Sequence, residues 1–415
     1  MNVVQLPRRF VQSHWGGTET VILETSKRLL RHGHETVILC PNALAPTGQD
    51  ADCMDGVPVR RVPYFYPYFG LKPEARQQLD LCGGSLFSFQ LMRELSVLPR
   101  LDLIHLHTGR RPGAIGRYVA RRRRIPYVVS LHGGVHDIPS EETELRKKLT
   151  DGALEWGKVL GWWVGSRRVM DDAAAVLCVG RNEYEIACER YPRKRIEYLP
   201  NGVDAERYAD GDGMAFRQRH GIAEDAKVLL CVGRIDPQKD QKLLLGVLER
   251  LRVKHPTAHL VLVGHVTNPT YHAELLELIE RLPAGSVTLI PGIGADTREL
   301  VDAYHAADCF VLASIHEPFG IVILEAWAAG RPVVASAVGG IPGFVEHGRD
   351  GLLCPPHDVD AFVEACDRVL SDRSLARKLA SAGQTKACGP YSWDHITQTL
   401  ISIYQDVIDE NSIRK

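Results

Sequence analysis

Short runs of Val, Ile and Leu recur along the chain, each followed by a longer stretch in which apolar residues return every three or four positions. The first pattern fits a strand buried on both faces and the second a helix laid against a sheet. Their alternation predicts an α/β fold of strand-helix units with parallel sheets. In the first half the expected strands are Val3 to Leu6, Thr36 to Cys40, Leu101 to Leu106, Tyr127 to Leu131 and Ala175 to Val179. Between the first two, Ile22, Ser26, Leu29 and Leu30 share one face of a helix predicted from Thr18 to His32, which Gly33 is placed to stop. The series starts afresh after the turn-forming stretch Pro200 to Asp204. New strands are expected at Val228 to Val232, Leu260 to Val263, Val287 to Ile290, Phe310 to Ala313 and Val333 to Ala335. Leu244, Val247, Leu248 and Leu251 stripe the helix after the first of these. A last amphipathic helix begins near Trp393, with Ile396, Leu400, Ile403, Tyr404 and Val407 on one face. The pattern predicts two doubly wound domains, 1–203 and 204–387, with a C-terminal segment 388–415 and a cleft between the domains. No sequence repeat links the halves.

Composition adds limits. With 415 residues, 45% of them apolar, the chain exceeds what one core holds. Fifty basic residues against fifty-one acidic ones give a net charge of −1, so no global field recruits nucleic acid or an anionic surface. The ten cysteines show no metal-ligand spacing and read as buried free thiols of a reducing compartment. The start MNVVQLP lacks the pattern of a signal peptide, and no apolar window reaches spanning length, so a cytoplasmic location is expected.

Four loops at predicted strand ends carry candidate chemistry. Glu317 to Gly320 lies between the strand ending at Ala313 and a helix from Ile321 to Ala329. Backbone amides at such a helix start suit an anionic or hydroxyl-rich ligand, and the carboxylates of Glu317 and Glu325 can each take a diol. A lone glutamate there is ordinarily solvated, but Glu325 stands in an otherwise apolar helix, where a carboxylate needs a polar partner. Gly233 to Lys239 follows the first strand of the second domain, where Arg234 and Lys239 suit a pyrophosphate. Gly16 and Gly17 join the first strand to its helix, without the G-x-G-x-x-G fingerprint of hydride chemistry. His132, in Leu131-His132-Gly133-Gly134, ends another strand. His105 and His107 end the neighbouring strand and receive no role.

Together these residues resemble the retaining glycosyltransferases of family 4, the group 1 transferases, over nearly the whole chain. Glu317 to Glu325 has the family's E-x7-E spacing, Gly233 to Lys239 its G-R-x4-K motif, and Gly16 to Glu19 its G-G-x-E loop. The resemblance implies a GT-B fold of two Rossmann-like domains, the first receiving the acceptor and the second the donor, with the final helix crossing back to the first. It implies that Glu325 grips the ribose, Glu317 and His132 lie by the transferred sugar, and Arg234, Lys239, Gly16 and Gly17 meet the diphosphate. Ile293 falls near the base, and Phe319, Gly320 and Ile321 line the donor. Two departures stand out: Asp240 where a glycine often follows the lysine, and Gly264 to Pro269 where the family commonly has a glycine-rich acidic turn.

The implied activity is retaining transfer of a hexosyl-type sugar from a UDP- or GDP-sugar, without metal or cofactor, to a saccharide, lipid-linked or small-molecule acceptor in glycan or polysaccharide biosynthesis. A sugar-nucleotide epimerase or hydrolase and a non-catalytic nucleotide-sugar-binding protein remain alternatives. Arg110, Arg111, Arg117, Arg121, Arg122, Arg123 and Arg124 form a basic cluster, read either as a solvated helix face or as a contact for anionic lipid. Trp156, Trp162 and Trp163 are candidate interfacial anchors for a peripheral membrane association. Nucleic-acid binding is disfavoured for want of a basic platform interleaved with aromatic residues.

Overall fold

The computed structural model describes residues 1–46, 48, 51–133, 148–294 and 297–413. The chain forms two compact units, one of residues 1–200 together with the segment from Ile396 on, the other of Asn201–His395. In the first unit the strands are β1 (Asn2–Leu6), β2 (Glu35–Pro41), β3 (Ala51–Met54), β4 (Val57–Val62), β5 (Tyr68–Phe69), β6 (Leu103–Leu106), β7 (Tyr127–Leu131), β8 (Leu154–Glu155), β9 (Ala175–Cys178) and β10 (Ile196–Tyr198). Eight of them make one sheet in the order β10-β9-β7-β6-β1-β2-β4-β3. It is parallel except for β3 against β4. The helix Gly17–Arg31 returns the chain from β1 to β2 and ends before Gly33, whose φ of 76° is the left-handed stop the sequence anticipates.

The second unit holds β11 (Lys227–Val232), β12 (Ala258–Val263), β13 (Val287–Ile290), β14 (Cys309–Leu312), β15 (Val333–Ser336) and β16 (Leu352–Cys354). They form a parallel sheet in the order β13-β12-β11-β14-β15-β16. Both faces are covered, because Val228, Leu230 and Val232 enter one core while Leu229 and Cys231 enter another. That two-sided burial is why these strands read as unbroken apolar runs.

The helix Trp393–Ile413 buries Ile396, Leu400, Ile403, Tyr404 and Val407, the stripe its spacing predicts. The cysteines are all free thiols, but Cys53 and Cys388 are exposed, correcting the expectation that all are buried. Among the described residues no helix is long and apolar enough to cross a membrane.

Candidate active site

In the second sheet β11 lies between β12 and β14, so the chain leaves β11 toward one side and resumes at β14 on the other. Loops leaving the carboxyl ends of such a pair diverge and open a crevice, the usual ligand position in a doubly wound sheet. The loops here are those of Arg234 and Lys239 after β11, and of Glu317 after β14. They are stitched together: Ile315 N–H donates to the Gln238 carbonyl at 2.8 Å, and Gln238 Nε2 to the His316 carbonyl at 2.8 Å. Lys239 Nζ forms an ion pair with Glu317 Oε2, their side chains only 12% and 11% exposed. The Ser314 hydroxyl donates to the same oxygen at 3.4 Å. Arg234 is exposed, with its guanidinium 3.3 Å from Asp236 and 3.0 Å from Gln238 Oε1, while its carbonyl accepts from Gln241 Nε2 at 2.7 Å. Its cationic head therefore remains accessible on an anchored backbone.

Both departures from the family pattern have a structural explanation. Asp240 has φ 47° and ψ 48°, the left-handed conformation a glycine adopts freely and an aspartate tolerates. The loop turns as a glycine would turn it. After β12, a Cβ on Gly264 would lie 1.8 Å from the Gly233 carbonyl oxygen. Ile235 N–H donates to the His265 carbonyl at 2.8 Å and Thr267 N–H to the Ile235 carbonyl at 3.3 Å. The Gly264 segment thus braces the arginine-lysine loop.

Gly339 and Gly340, after β15, belong to the same constellation and were missed in the sequence. Gly340 N–H donates to the Glu317 carbonyl at 2.9 Å. A Cβ on Gly339 would lie 2.1 Å from that carbonyl oxygen, and one on Gly340 2.1 Å from that of Pro318. The available signal was a glycine pair just beyond a predicted strand end.

The helix Ile321–Ala328 starts at Gly320, with φ 100° and no side-chain cap. Glu325 has the polar partner its apolar setting demands: the buried Tyr304 hydroxyl donates to Oε2 at 2.6 Å. Burial raises the Glu325 carboxyl above its ordinary range, while hydrogen bonds from Tyr304 and Tyr208 favour its charged form. Ile293 and Ile321 are half-buried against the core. Phe319 is 3% exposed, and its ring stacks on Phe344 with centroids 4.6 Å apart.

In the first unit the order reverses around β1, β6 and β7, and the expected residues follow their carboxyl ends. Gly16 and Gly17 are exposed at a helix start, and the Glu19 carboxylate reaches back to the Gly16 amide. Burial raises the Glu19 carboxyl, against the pull of Arg9 3.8 Å away. His132 Nε2 lies 2.8 Å from His107 Nδ1, and desolvation lowers the His132 imidazole to about 4. It is therefore neutral at physiological pH. Gly134, the end of that predicted motif, lies outside the described residues.

The basic cluster separates into two populations, which corrects the reading of all its members as one surface. Arg111 is buried, donating to the carbonyls of Ser85 at 2.6 Å and Gly157 at 3.0 Å and pairing with Glu155. Arg117 is buried against Asp172 and donates to the Val164 carbonyl at 3.0 Å. Glycines make room for them, since a Cβ on Gly157 would lie 2.6 Å from Arg111 Cζ and one on Gly165 2.4 Å from Arg117 Nη1. These two arginines fasten the tryptophan-bearing helix Gly157–Val164 to the helix Arg110–Arg123. Arg110 donates to the Gly83 carbonyl at 3.3 Å, Arg123 to the Leu95 carbonyl at 2.8 Å, and Arg124 ends its helix at φ 56°. Arg121, exposed, reaches Asp172 at 3.1 Å, and Arg122 lies over the Tyr118 ring at 5.6 Å.

Residues 15–207 match the family described as Glycosyltransferase Family 4, and residues 214–386 match Glycosyl transferases group 1. A D-inositol 3-phosphate glycosyltransferase of Stackebrandtia nassauensis is 30% identical, with 96% of this chain and 88% of the relative covered. The chain belongs to the group 1 glycosyltransferases. A second relative of the same description, from Geodermatophilus obscurus, is 29% identical over 95% of this glycosyltransferase and 86% of its own length. HepE of Anabaena, solved in complex with UDP, shares the fold with a TM-score of 0.72 at 21% identity, covering 98% of this chain and all of its own. Sucrose-phosphate synthase of Thermosynechococcus elongatus does so with a TM-score of 0.73 at 20% identity, covering 99% of this chain and 100% of its own. The fold is GT-B, with a Rossmann-like domain in each half of the glycosyltransferase.

Proposed function

We propose that this glycosyltransferase moves a hexosyl-type sugar from a UDP- or GDP-sugar, with retention at the anomeric carbon and without a metal. The domain of residues 204–387 holds the donor, that of 1–203 receives the acceptor, and the segment 388–415 returns to the latter. The observation that carries the reading is the Lys239–Glu317 ion pair at the switch point of the second sheet, with Arg234 beside it. On this reading the cationic groups meet the departing diphosphate, and the carboxylate faces the sugar ring as it gains positive charge. Lys239, Arg234 and the amides at Gly320 and Ile321 stabilise the leaving group, so that positioning and electrostatics do most of the catalysis. Glu325, steadied by Tyr304, takes the ribose diol; Glu317 and His132 attend the sugar, and Gly16 and Gly17 contribute amides to the diphosphate. Ile293 packs by the base.

HepE bound to UDP makes uridine donors the first to test, and the relatives named for inositol 3-phosphate make a phosphorylated polyol the first acceptor. Saccharide and lipid-linked acceptors, in glycan or polysaccharide biosynthesis, come next. A peripheral contact with the inner face of a membrane is supported by one continuous surface. The Trp163 ring lies 5.2 Å from that of Tyr118, which Arg122 covers, and the adjacent Trp162 is 84% exposed. Thermal shift with UDP-, GDP- and ADP-sugars, followed by NMR of the product anomer with and without EDTA, tests the donor, stereochemistry and metal independence together. The expected result is stabilisation by one donor class and a retained anomer unaffected by chelation. An inverted anomer, or activity lost to EDTA, would overturn the corresponding part. Sugar release without acceptor as fast as transfer would favour a hydrolase.

A further inference from the structure

A row of hydrogen-bonded side chains runs through the first unit and ends on His132. Ser130 Oγ lies 2.7 Å from His105 Nε2, and His105 Nδ1 lies 2.6 Å from the Tyr404 hydroxyl. Gln5 Nε2 lies 3.4 Å from that hydroxyl, Gln5 Oε1 2.7 Å from His107 Nε2, and His107 Nδ1 2.8 Å from His132 Nε2. Gln5, His105, His107, Ser130 and Tyr404 are buried, so each polar atom must find its partner within the row.

The spacing sets the direction of the protons. O–H···O bonds run shorter than N–H···O bonds, so the 3.4 Å contact suits an amide N–H reaching the phenol oxygen better than a phenol donating to an amide oxygen, whereas 2.6 Å suits a phenol donating to an imidazole nitrogen. Tyr404 therefore gives its proton to His105 Nδ1, and His105 Nε2–H donates to Ser130. The Gln5 amide turns its N–H toward the Tyr404 oxygen, leaving only its carbonyl oxygen for His107. That oxygen accepts only, so His107 carries its proton on Nε2 and presents a lone pair at Nδ1. His132 must then donate from Nε2. Desolvation lowers both His105 and His107 well below the ordinary imidazole range, in keeping with one proton on each ring.

We propose that this row holds His132 as the Nε2–H tautomer with a bare Nδ1, and that Gln5 and Tyr404 are positioning residues for it. The functional half of the proposal rests on the reading of His132 as a contact of the transferred sugar. A bare Nδ1 accepts a sugar hydroxyl proton and places electron density near a ring gaining positive charge. The opposite tautomer would offer an N–H there.

The test uses the full chain labelled with 15N-histidine and two-bond proton-nitrogen correlation, with the His132 signal assigned by its loss in His132→Gln. Wild type is expected to show the Nε2–H pattern for His132. Tyr404→Phe releases the Gln5 amide to flip and should mix the two tautomers, with kcat falling about tenfold, the worth of one hydrogen bond in the transition state, and KM for the donor unchanged. Gln5→Met, which removes the acceptor for His107, should do the same. An Nδ1–H pattern in wild type, or an unaltered tautomer in both variants, overturns the proposal. That spectrum requires no activity, so the two readings can fail separately. A tautomer that shifts without change in kcat would leave the row standing and overturn the sugar contact of His132.

Discussion

The Lys239–Glu317 pair permits a prediction in which stability and catalysis are read from the same variants. Removing one partner of a fully buried ion pair costs about 3–5 kcal/mol, because the other charge is left without compensation. Here the side chains are 12% and 11% exposed, and Ser314 still donates to Glu317, so the cost falls short of that limit. Lys239→Met is expected to destabilise by roughly 2–3 kcal/mol. Glu317→Gln, which strands the ammonium beside a neutral amide, should cost about as much. The double variant removes both charges and is expected to cost less than the sum, with a coupling of about 1–3 kcal/mol. Urea unfolding of the four proteins measures it.

Turnover should behave differently. Lys239→Met removes a group that compensates leaving-group charge, a loss of about 10²–10³ in kcat for a single such donor. Restoring charge balance with Glu317→Gln recovers stability but not the lost cation, so the double variant stays inactive. Rates are compared below the unfolding transition of every variant, with circular dichroism confirming the fold. Strictly additive stabilities together with a Lys239→Met rate within a few-fold of wild type would refute both the buried pairing and the leaving-group role.

Glu325→Gln keeps an acceptor for the Tyr304 hydroxyl while removing a carboxylate that burial disfavours. Because the folded pKa is raised, the charged form opposes folding above the unfolded pKa. The variant should therefore have a higher Tm at neutral pH, an advantage that fades as the pH falls through the carboxyl range, and should bind donor poorly by calorimetry. Gly339→Ala forces a Cβ against the Glu317 carbonyl from a left-handed position, and an expected cost of about 1–3 kcal/mol, with reduced transfer, is checked by thermal melts and rates. For the membrane surface, Trp162→Ala with Arg122→Gln should weaken flotation with anionic vesicles and spare transfer to a water-soluble acceptor. Arg117→Gln should instead lower Tm by leaving Asp172 without its buried partner.

What the sequence disclosed and what it withheld divide along physical lines. The β11, β12 and β14 strands were readable because burial on both faces writes a continuous apolar run, and Glu325 announced its need for a partner by interrupting one. Strands β3 and β10 escaped because at sheet edges their residues are exposed or half-buried and leave no period to detect. The inward turn of the Phe319 ring was not legible, because a position inside a motif does not say which way a side chain faces, and Phe344 and Tyr391 made the core the better place for it. Arg111 and Arg117 were misjudged for a similar reason. Local composition marks them as a charged face, whereas burial depends on Glu155, Asp172 and the two glycines that admit them.

The His132 row was the least legible feature, since it joins Gln5 to Tyr404 across nearly the whole chain and no spacing encodes such a contact. The same non-locality gives it a consequence. The final helix owes its place in the first unit partly to the polar row that Tyr404 completes, so a chain truncated before that residue would lose an apolar stripe and also the hydroxyl that orients the histidines. A fold that needed only to cover its sheet could do so with phenylalanine at position 404. The retained hydroxyl, buried and committed to both His105 and Gln5, ties the placement of the last helix to the protonation pattern at the end of β7.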